Sequence, residues 1–397
     1  MNYSFGSLSI TKEAIHLANE ALNSGRVTQG NLVSKFEKKF AEIVGVKEAV
    51  AVSSGTDADV IALSCLYEAG AKRGDEVILP ALSFVATGNA VIHAGFKPVF
   101  VDVEKDTYNL NPSKIEPAIS ERTRAIMPVH LMGKPAKIDE ISEIARRHNL
   151  YVIEDAAEAH GAKYHGKCAG SLADIAAFSL YAAHIISSVE GGIITTNNKQ
   201  FAEAARSLRS HGRCCVCPVC IINTSEKGCR KRFLPDGRDK RFLYERIGYS
   251  SKMNELEAAI GLGSIGIYEE ILEKRRHNLT YLIQHFKEFS PELTTFNEEP
   301  HEIIGPHAFP IITNSERFTR DEYSRHLNSK GIDTRDMFAS MPTQYPSFEY
   351  LGHNLGDFSE AEHIGNNGLH VGVHQHLTDS HLDYFLSTTE EFLRNHS

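Results

Sequence analysis

The chain has 397 residues, 42% hydrophobic and 23% charged, with 42 Lys plus Arg against 51 Asp plus Glu and a formal net charge of −9. At roughly 100 to 200 residues per domain this length predicts two or three domains with a sizeable core, and the acidic balance argues against a nucleic-acid or anionic-membrane surface, leaving room only for a local basic patch. No apolar run reaches the roughly 18 residues that a membrane span needs, and the polar opening Met1 to Ile10 lacks a signal-peptide pattern, so a cytoplasmic enzyme is expected.

Lys12 to Ser24 and about Leu32 to Val44 carry helical spacing, and Ala49 to Val52 reads as a short strand. Ser53-Ser54-Gly55-Thr56 follows and opens an apolar-periodic helix to about Tyr67. Glu76 to Leu79, Lys97 to Val101, Ala125 to Pro128 and Tyr151 to Ile153 are short apolar runs separated by helix-length segments, as buried strands of a parallel sheet require. Ala176 to Leu180 and Gly192 to Thr196 add two more strands. This alternation predicts an α/β chain, a mostly parallel sheet with flanking helices. From about Lys252 the character changes: a long helix, Glu255 to about Phe289, leads into a smaller α+β region ending near Ser397. A boundary near Gly248 divides a large unit, residues 1–248, from a small C-terminal one, residues 249–397.

The stretch Gly212 to Tyr244, at the end of the large unit, fits neither period. Five of the seven cysteines, Cys214, Cys215, Cys217, Cys220 and Cys229, fall within 16 residues of it, whereas Cys65 and Cys168 sit alone in apolar or small-residue surroundings and read as inert core thiols. An odd cysteine total without a secretory signal makes a disulfide framework a poor explanation and metal or cluster ligation a better one.

Two short motifs carry chemistry. Ser53-Ser54-Gly55-Thr56 lies at a strand-to-helix junction, where backbone N–H groups and the positive helix end favour an anion; alone, it is equally an N-cap with a tight turn. Ile153-Glu154-Asp155 ends a strand with a carboxylate suited to a cofactor ring nitrogen, although Asp155 alone also suits a helix cap. The ordered set SSGTDA, PALSFVAT, VIEDAAEAHGA, FSLYAAH and EGG, with RVTQG near the start and HVGVHQHLTD near the end, resembles the DegT/DnrJ/EryC1/StrS family over nearly the whole chain.

That resemblance implies a fold-type I pyridoxal-phosphate enzyme acting on nucleotide sugars, with a large cofactor-binding domain and active sites formed between subunits of a homodimer. By motif, it implies that Gly55 and Thr56 bind the cofactor phosphate with Ser179, that Phe84 stacks on the ring, and that Asp155 pairs with the protonated ring nitrogen. Glu158 stands where the family commonly has Gln near the cofactor hydroxyl, and Ser250 replaces the Asn that usually reaches a neighbouring subunit's phosphate. Arg335 is a candidate for holding substrate anion.

The family's aminotransferases hold the cofactor covalently on a lysine that here is His184, and no lysine occurs between Lys167 and Lys199. A histidine cannot form a Schiff base but can move protons near neutrality. The exchange resembles the family's sugar 3-dehydrase branch and implies C3 dehydration of a nucleotide-linked 4-keto-6-deoxyhexose with pyridoxamine phosphate (PMP/PLP), His184 being the base. One group in that branch, acting on CDP-4-keto-6-deoxyglucose, carries an iron–sulfur cluster fed by a partner reductase; another has no cluster and uses glutamate. The cysteine stretch resembles the former, with Cys215, Cys217, Cys220 and Cys229 as ligands and Cys214 as the spare, because Ala157 stands where that group supplies one thiolate. The cluster is [2Fe-2S] by resemblance or [4Fe-4S] by spacing; a zinc knuckle, free thiols or a non-catalytic nucleotide-sugar-binding paralogue are the alternatives. The basic run Arg230 to Arg241 is a solvated surface, a docking face for an acidic electron donor or a diphosphate site.

Overall fold

The structure, a computed structural model, describes residues 1–220 and 228–396; the part of the cysteine stretch at 221–227 lies outside the described residues. Seven strands form the main sheet: β1 Glu48–Val52, β2 Glu76–Pro80, β3 Lys97–Val101, β4 Thr123–Ile126, β5 Tyr151–Asp155, β6 Ile175–Ser179 and β7 Gly192–Thr196. Their spatial order is β1-β7-β6-β5-β4-β2-β3, and only β7 runs against the rest. Every residue of β2 and β7 is buried, which is why these strands read as continuous apolar runs instead of alternating ones. Strand β4 starts earlier than expected and leaves the ladder before Pro128, which has no N–H to donate.

The expected helices α1 (Lys12–Ser24) and α2 (Asn31–Val44) form, each closed by a left-handed glycine, Gly25 at φ 67° and Gly45 at φ 80°. Helix α3 (Gly55–Ser64) continues into a 3-10 turn, Cys65–Ala69. Three further helices, α4 Val85–His93, α5 Ile138–His148 and α6 Lys199–Leu208, follow in the large unit, and the long helix expected from Glu255 is broken in two, α7 Glu255–Gly266 and α8 Tyr268–His285. The break falls at Ile267, φ −118° and ψ 13°. Its cause is packing: a Cβ at Gly261 would stand 2.7 Å from the Phe36 ring, and one at Gly263 would stand 2.5 Å from Thr11 Oγ1 and 2.6 Å from Ala14 Cβ. The glycines that let α7 cross α1 and α2 so closely also weaken the helix where it ends. Glu255, at the start of α7, accepts from the N–H groups of Gly30, Leu32 and Val33 and so caps α2.

A second sheet, β8 Leu293–Thr294, β9 Ala308–Thr313, β10 Thr334–Asp336 and β11 Gly368–Gly372, is antiparallel in the order β8-β9-β11-β10. The N-terminus joins it, Tyr3 bridging to Ile332 and donating from its hydroxyl to the Gly372 carbonyl at 2.7 Å. Among the described residues no helix is long and apolar enough to cross a membrane.

One edge of the main sheet collects the ends of β1, β5 and β6 and the start of β7, with Gly192 opposite both Val52 and Ser179. The chains there are crowded: a Cβ on Gly192 would stand 2.1 Å from the Ser54 carbonyl oxygen. Gly192→Ala is therefore expected to destabilise the fold by about 1–3 kcal/mol through overpacking, read as a lowered midpoint in urea unfolding of the cofactor-free protein.

Candidate active site

At that edge α3 begins against β6. Ser54, extended at φ −159° and ψ 165°, caps the helix by accepting from Asp57 N–H at 3.0 Å. The Asp57 carboxylate accepts from Ser53, Ser54 and Ser251 hydroxyls, which fixes the loop. Gly55 is the first helical residue, and a Cβ on it would meet Ser179 Cβ at 2.7 Å. The absent side chain leaves free N–H groups of the first turn at Gly55 and Thr56 beside the Ser179 hydroxyl, the composition of an anion cradle. The structure thus brings Gly55, Thr56 and Ser179 together.

Asp155, the last residue of β5, is buried; its carboxylate accepts from Thr87 Oγ1 at 2.7 Å and from Ala157 N–H at 3.2 Å. Burial pushes its carboxyl above the usual range, against the pull of Thr87, Ala157 and His130. Among the described residues no Lys or Arg is paired with it, so the protonated ring nitrogen of a pyridoxal-type cofactor is the cation it suits. Thr87, which the sequence reading missed, lies one turn along α4 from Phe84 and also bonds the Ser83 hydroxyl at 2.8 Å. Phe84 begins that helix and is 55% exposed, an apolar ring left open beside a buried carboxylate. Asp59 on α3 was also missed: it is buried, its Oδ1 has no partner, and burial with the nearby Asp155 pushes its carboxyl well up. A pyridoxal-type cofactor fits this donor set.

His184 sits in the turn after β6, where its N–H donates to the Tyr181 carbonyl at 2.9 Å. Its Nδ1 is enclosed without a partner. The ring lies 5.2 Å from that of His307 and 6.0 Å from that of His160. Burial, then His160 and Arg275, lower its pKa to about 3, so the ring is neutral at pH 7. His160 Nε2 contacts the Ser179 carbonyl at 2.9 Å and is lowered to about 4 by burial. The buried Arg275 of α8 donates from Nε to Gln375 at 3.2 Å, and burial lowers it to about 10. Glu158 accepts from Met132 N–H at 2.7 Å through one oxygen and lies 3.3 Å from His307 Nε2 through the other. Burial and Asp155 push its carboxyl up to about 8. His160 lies inside the motif VIEDAAEAHGA without having been given a role, and His307 and Arg275 carried no sequence signal, since only the fold brings them beside His184.

The cysteines occupy a neighbouring loop. Cys215, Cys217 and Cys220 line one cavity of about 150 Å³ together with Arg209, Arg213, Arg241 and Lys252. Burial raises the Cys217 thiol, and Cys215 and Cys229 lie near enough to raise it further. The Cys214 thiol bonds Glu245; burial and that bond raise it, and Cys215 lies near enough to raise it further. The thiol chemistry and the surrounding cations suit an iron–sulfur cluster, yet among the described residues no three His, Cys, Asp or Glu side chains stand close enough to hold one metal ion. Cys65 is buried and donates to the Phe201 carbonyl, and Cys168 faces the Ile43 carbonyl, both apart from this loop. In the basic run, Arg232 and Arg241 pair with Asp239, and Arg238 with Asp236. Arg335 is paired with Asp333 at 2.6 Å and lies over the Phe5 ring.

The profile of the DegT/DnrJ/EryC1/StrS aminotransferase family matches residues 8–389. The chain is 36% identical to a dTDP-4-dehydro-2,6-dideoxy-D-glucose 3-dehydratase of Saccharopolyspora spinosa, over 95% of this chain and 84% of that protein. It is also 36% identical to a GDP-perosamine synthase of Caulobacter vibrioides, over 92% of this chain and 91% of that one. Among solved structures it resembles a GDP-4-keto-6-deoxymannose-3-dehydratase with bound GDP-perosamine, at a TM-score of 0.87 and 27% identity, covering 98% of this chain and 100% of that one.

The lowered histidines give a signed pH dependence. His160, His184, His370 and His374 have folded pKa values of about 4, 3, 3 and 4, below the ordinary 6.5. From pH 6.5 down to about 4 the unfolded chain binds protons that the folded chain refuses, so stability falls as pH falls. Each such histidine adds a slope of up to about 1.4 kcal/mol per pH unit in that window. In cofactor-free protein, His184→Asn is expected to flatten the decline between pH 6 and 4.5 by up to one such slope, measured by urea unfolding at each pH.

Proposed function

Because the chain belongs to the DegT/DnrJ/EryC1/StrS aminotransferase family, we propose that it dehydrates a nucleotide-linked 4-keto-6-deoxyhexose at C3, leading to its 3-deoxygenation. The observation that carries this reading is His184: a neutral, half-buried imidazole stands in the turn after β6, where the family's covalent attachment would need a lysine. Pyridoxamine phosphate, when bound, supplies an amine for the C4 ketone and a ring that accepts electrons.

The chain's own residues divide the remaining work. Gly55, Thr56 and Ser179 bind the cofactor phosphate, Phe84 covers the ring, Asp155 holds its nitrogen protonated, and Glu158 faces its hydroxyl. His184 takes the proton from the carbon bearing the amine. With no lysine to return that proton for amine transfer, expulsion of the C3 hydroxyl is the favoured outcome. Cys215, Cys217, Cys220 and Cys229 would be the thiolates to hold an iron–sulfur cluster, [2Fe-2S] or [4Fe-4S], which would supply single electrons drawn from a reductase. Residues 1–248 act as the cofactor-binding unit and 249–397 as the smaller one, in a cytoplasmic homodimer. A second reading, a cluster-free dehydratase that regenerates its cofactor with glutamate, is supported by the lack, among the described residues, of three ligating side chains close enough to hold one metal ion.

His184→Asn is expected to keep cofactor binding and lose about 10²- to 10⁴-fold in dehydration rate, the usual contribution of a positioned base; an Asn variant turning over at the wild-type rate rejects His184. Metal analysis separates the two readings. Protein purified without air should carry iron and acid-labile sulfide, each lowered by Cys→Ser at 215, 217, 220 or 229 and unchanged by Cys65→Ser. Stoichiometric zinc, or no metal, supports the cluster-free enzyme.

A further inference from the structure

We propose that His307 is a positioning residue that ties the base His184 to the carboxyl of Glu158, so that the proton on Glu158 decides which ring nitrogen of His307 carries hydrogen beside the base. This rests on the reading of His184 as the base. The contacts are specific: His307 Nε2 stands 3.3 Å from Glu158 Oε1, and the rings of His307 and His184 lie 5.2 Å apart, tilted by 33°. Both partners of the His307–Glu158 contact are largely enclosed, 10% and 11% exposed.

The backbone holds this arrangement rigidly. Gly305 N–H donates to the Gly133 carbonyl at 2.9 Å, and a Cβ on Gly133, whose φ is +79°, would stand 2.0 Å from the Gly305 carbonyl oxygen. The two segments therefore cross at a distance only glycine permits. Met132, beside that crossing, donates its N–H to the other oxygen of Glu158. One crossing thus fixes Glu158 from one side and delivers His307, two residues past Gly305, from the other.

The charges facing the unit keep it neutral. His184, His370, Arg275 and His160 all disfavour a proton on His307, whose pKa burial already lowers well below its ordinary value. Asp155 disfavours ionisation of Glu158. With both groups neutral, the Glu158 hydroxyl donates to His307 Nε2, and the hydrogen of His307 resides on Nδ1. Once Glu158 ionises, as pH rises through about 8, the carboxylate accepts instead and the hydrogen moves to Nε2. No bond other than these N–H and O–H bonds changes, and the net result is one proton released to solvent. The ring of His184, whose Nδ1 is enclosed without a partner, lies against that of His307 at 5.2 Å.

The test uses ring ¹⁵N NMR of histidine-labelled, cofactor-free protein, with the dehydration pH profile as a second arm. The His307 signals, assigned by their loss in His307→Phe, are expected to exchange tautomer with a midpoint near pH 8 in the wild type and to show no such transition in Glu158→Gln. The kcat profile on a 4-keto sugar is expected to lose its basic limb in Glu158→Gln, whatever the rate of that variant at pH 7, and His307→Phe is expected to lower kcat about 10-fold or more with little change in cofactor affinity. His307 signals that ignore pH between 7 and 9, or a basic limb that persists in Glu158→Gln, would overturn the proposal. Because the NMR arm needs no turnover, loss of the base reading through His184→Asn stays distinguishable from failure of this one.

Discussion

The constraint on which the site depends is a buried carboxylate that no Lys or Arg among the described residues pairs with. Asp155 ends a central strand, and Thr87 and the Ala157 N–H bond it without neutralising it. Such a group costs stability in proportion to how far burial raises its pKa, unless a cation arrives. The rest of the edge is arranged around that vacancy of charge: an anion cradle at the start of α3, an exposed Phe84 one helical turn from Thr87, and a neutral His184 across from them. A molecule with a phosphate, an aromatic ring and a protonated ring nitrogen satisfies all of these at once.

His184 shows how one residue can redirect a shared scaffold. The chain is as similar to a GDP-perosamine synthase as to a sugar 3-dehydratase, so overall identity does not choose between amine transfer and dehydration. On the proposed reading the local chemistry does: imidazole accepts a proton without forming a bond to the cofactor, and burial keeps it neutral. Its neighbours His160 and Arg275 both oppose a charge there.

Much of this was legible in the sequence where one physical cause acted locally. The strands at Lys97–Val101 and Gly192–Thr196 match their apolar runs, and Gly25 and Gly45 mark helix ends. The break at Ile267 was not legible, because the glycines that weaken α7 are explained only by Phe36, Thr11 and Ala14 packed against them from elsewhere in the chain. For the same reason the motifs gave roles to Asp155 and His184 but not to Thr87 or His160, which lie inside those motifs, nor to His307, which lies outside them, because their contacts come from crossings of distant segments. The cysteine loop lay between these cases: its thiols do share a neighbourhood, while their spacing alone fixes no ligand geometry.

The most direct measurement is the mass of the sugar product. Protein loaded with pyridoxamine phosphate, incubated with a nucleotide-linked 4-keto-6-deoxyhexose in ¹⁸O-labelled water, a chemical reductant such as dithionite and no amino donor beyond the cofactor, should yield a sugar that has lost its C3 hydroxyl as water. A 4-amino sugar with C3 oxygen intact would contradict the account, because it would mean that His184 completes the amine transfer for which a lysine is expected.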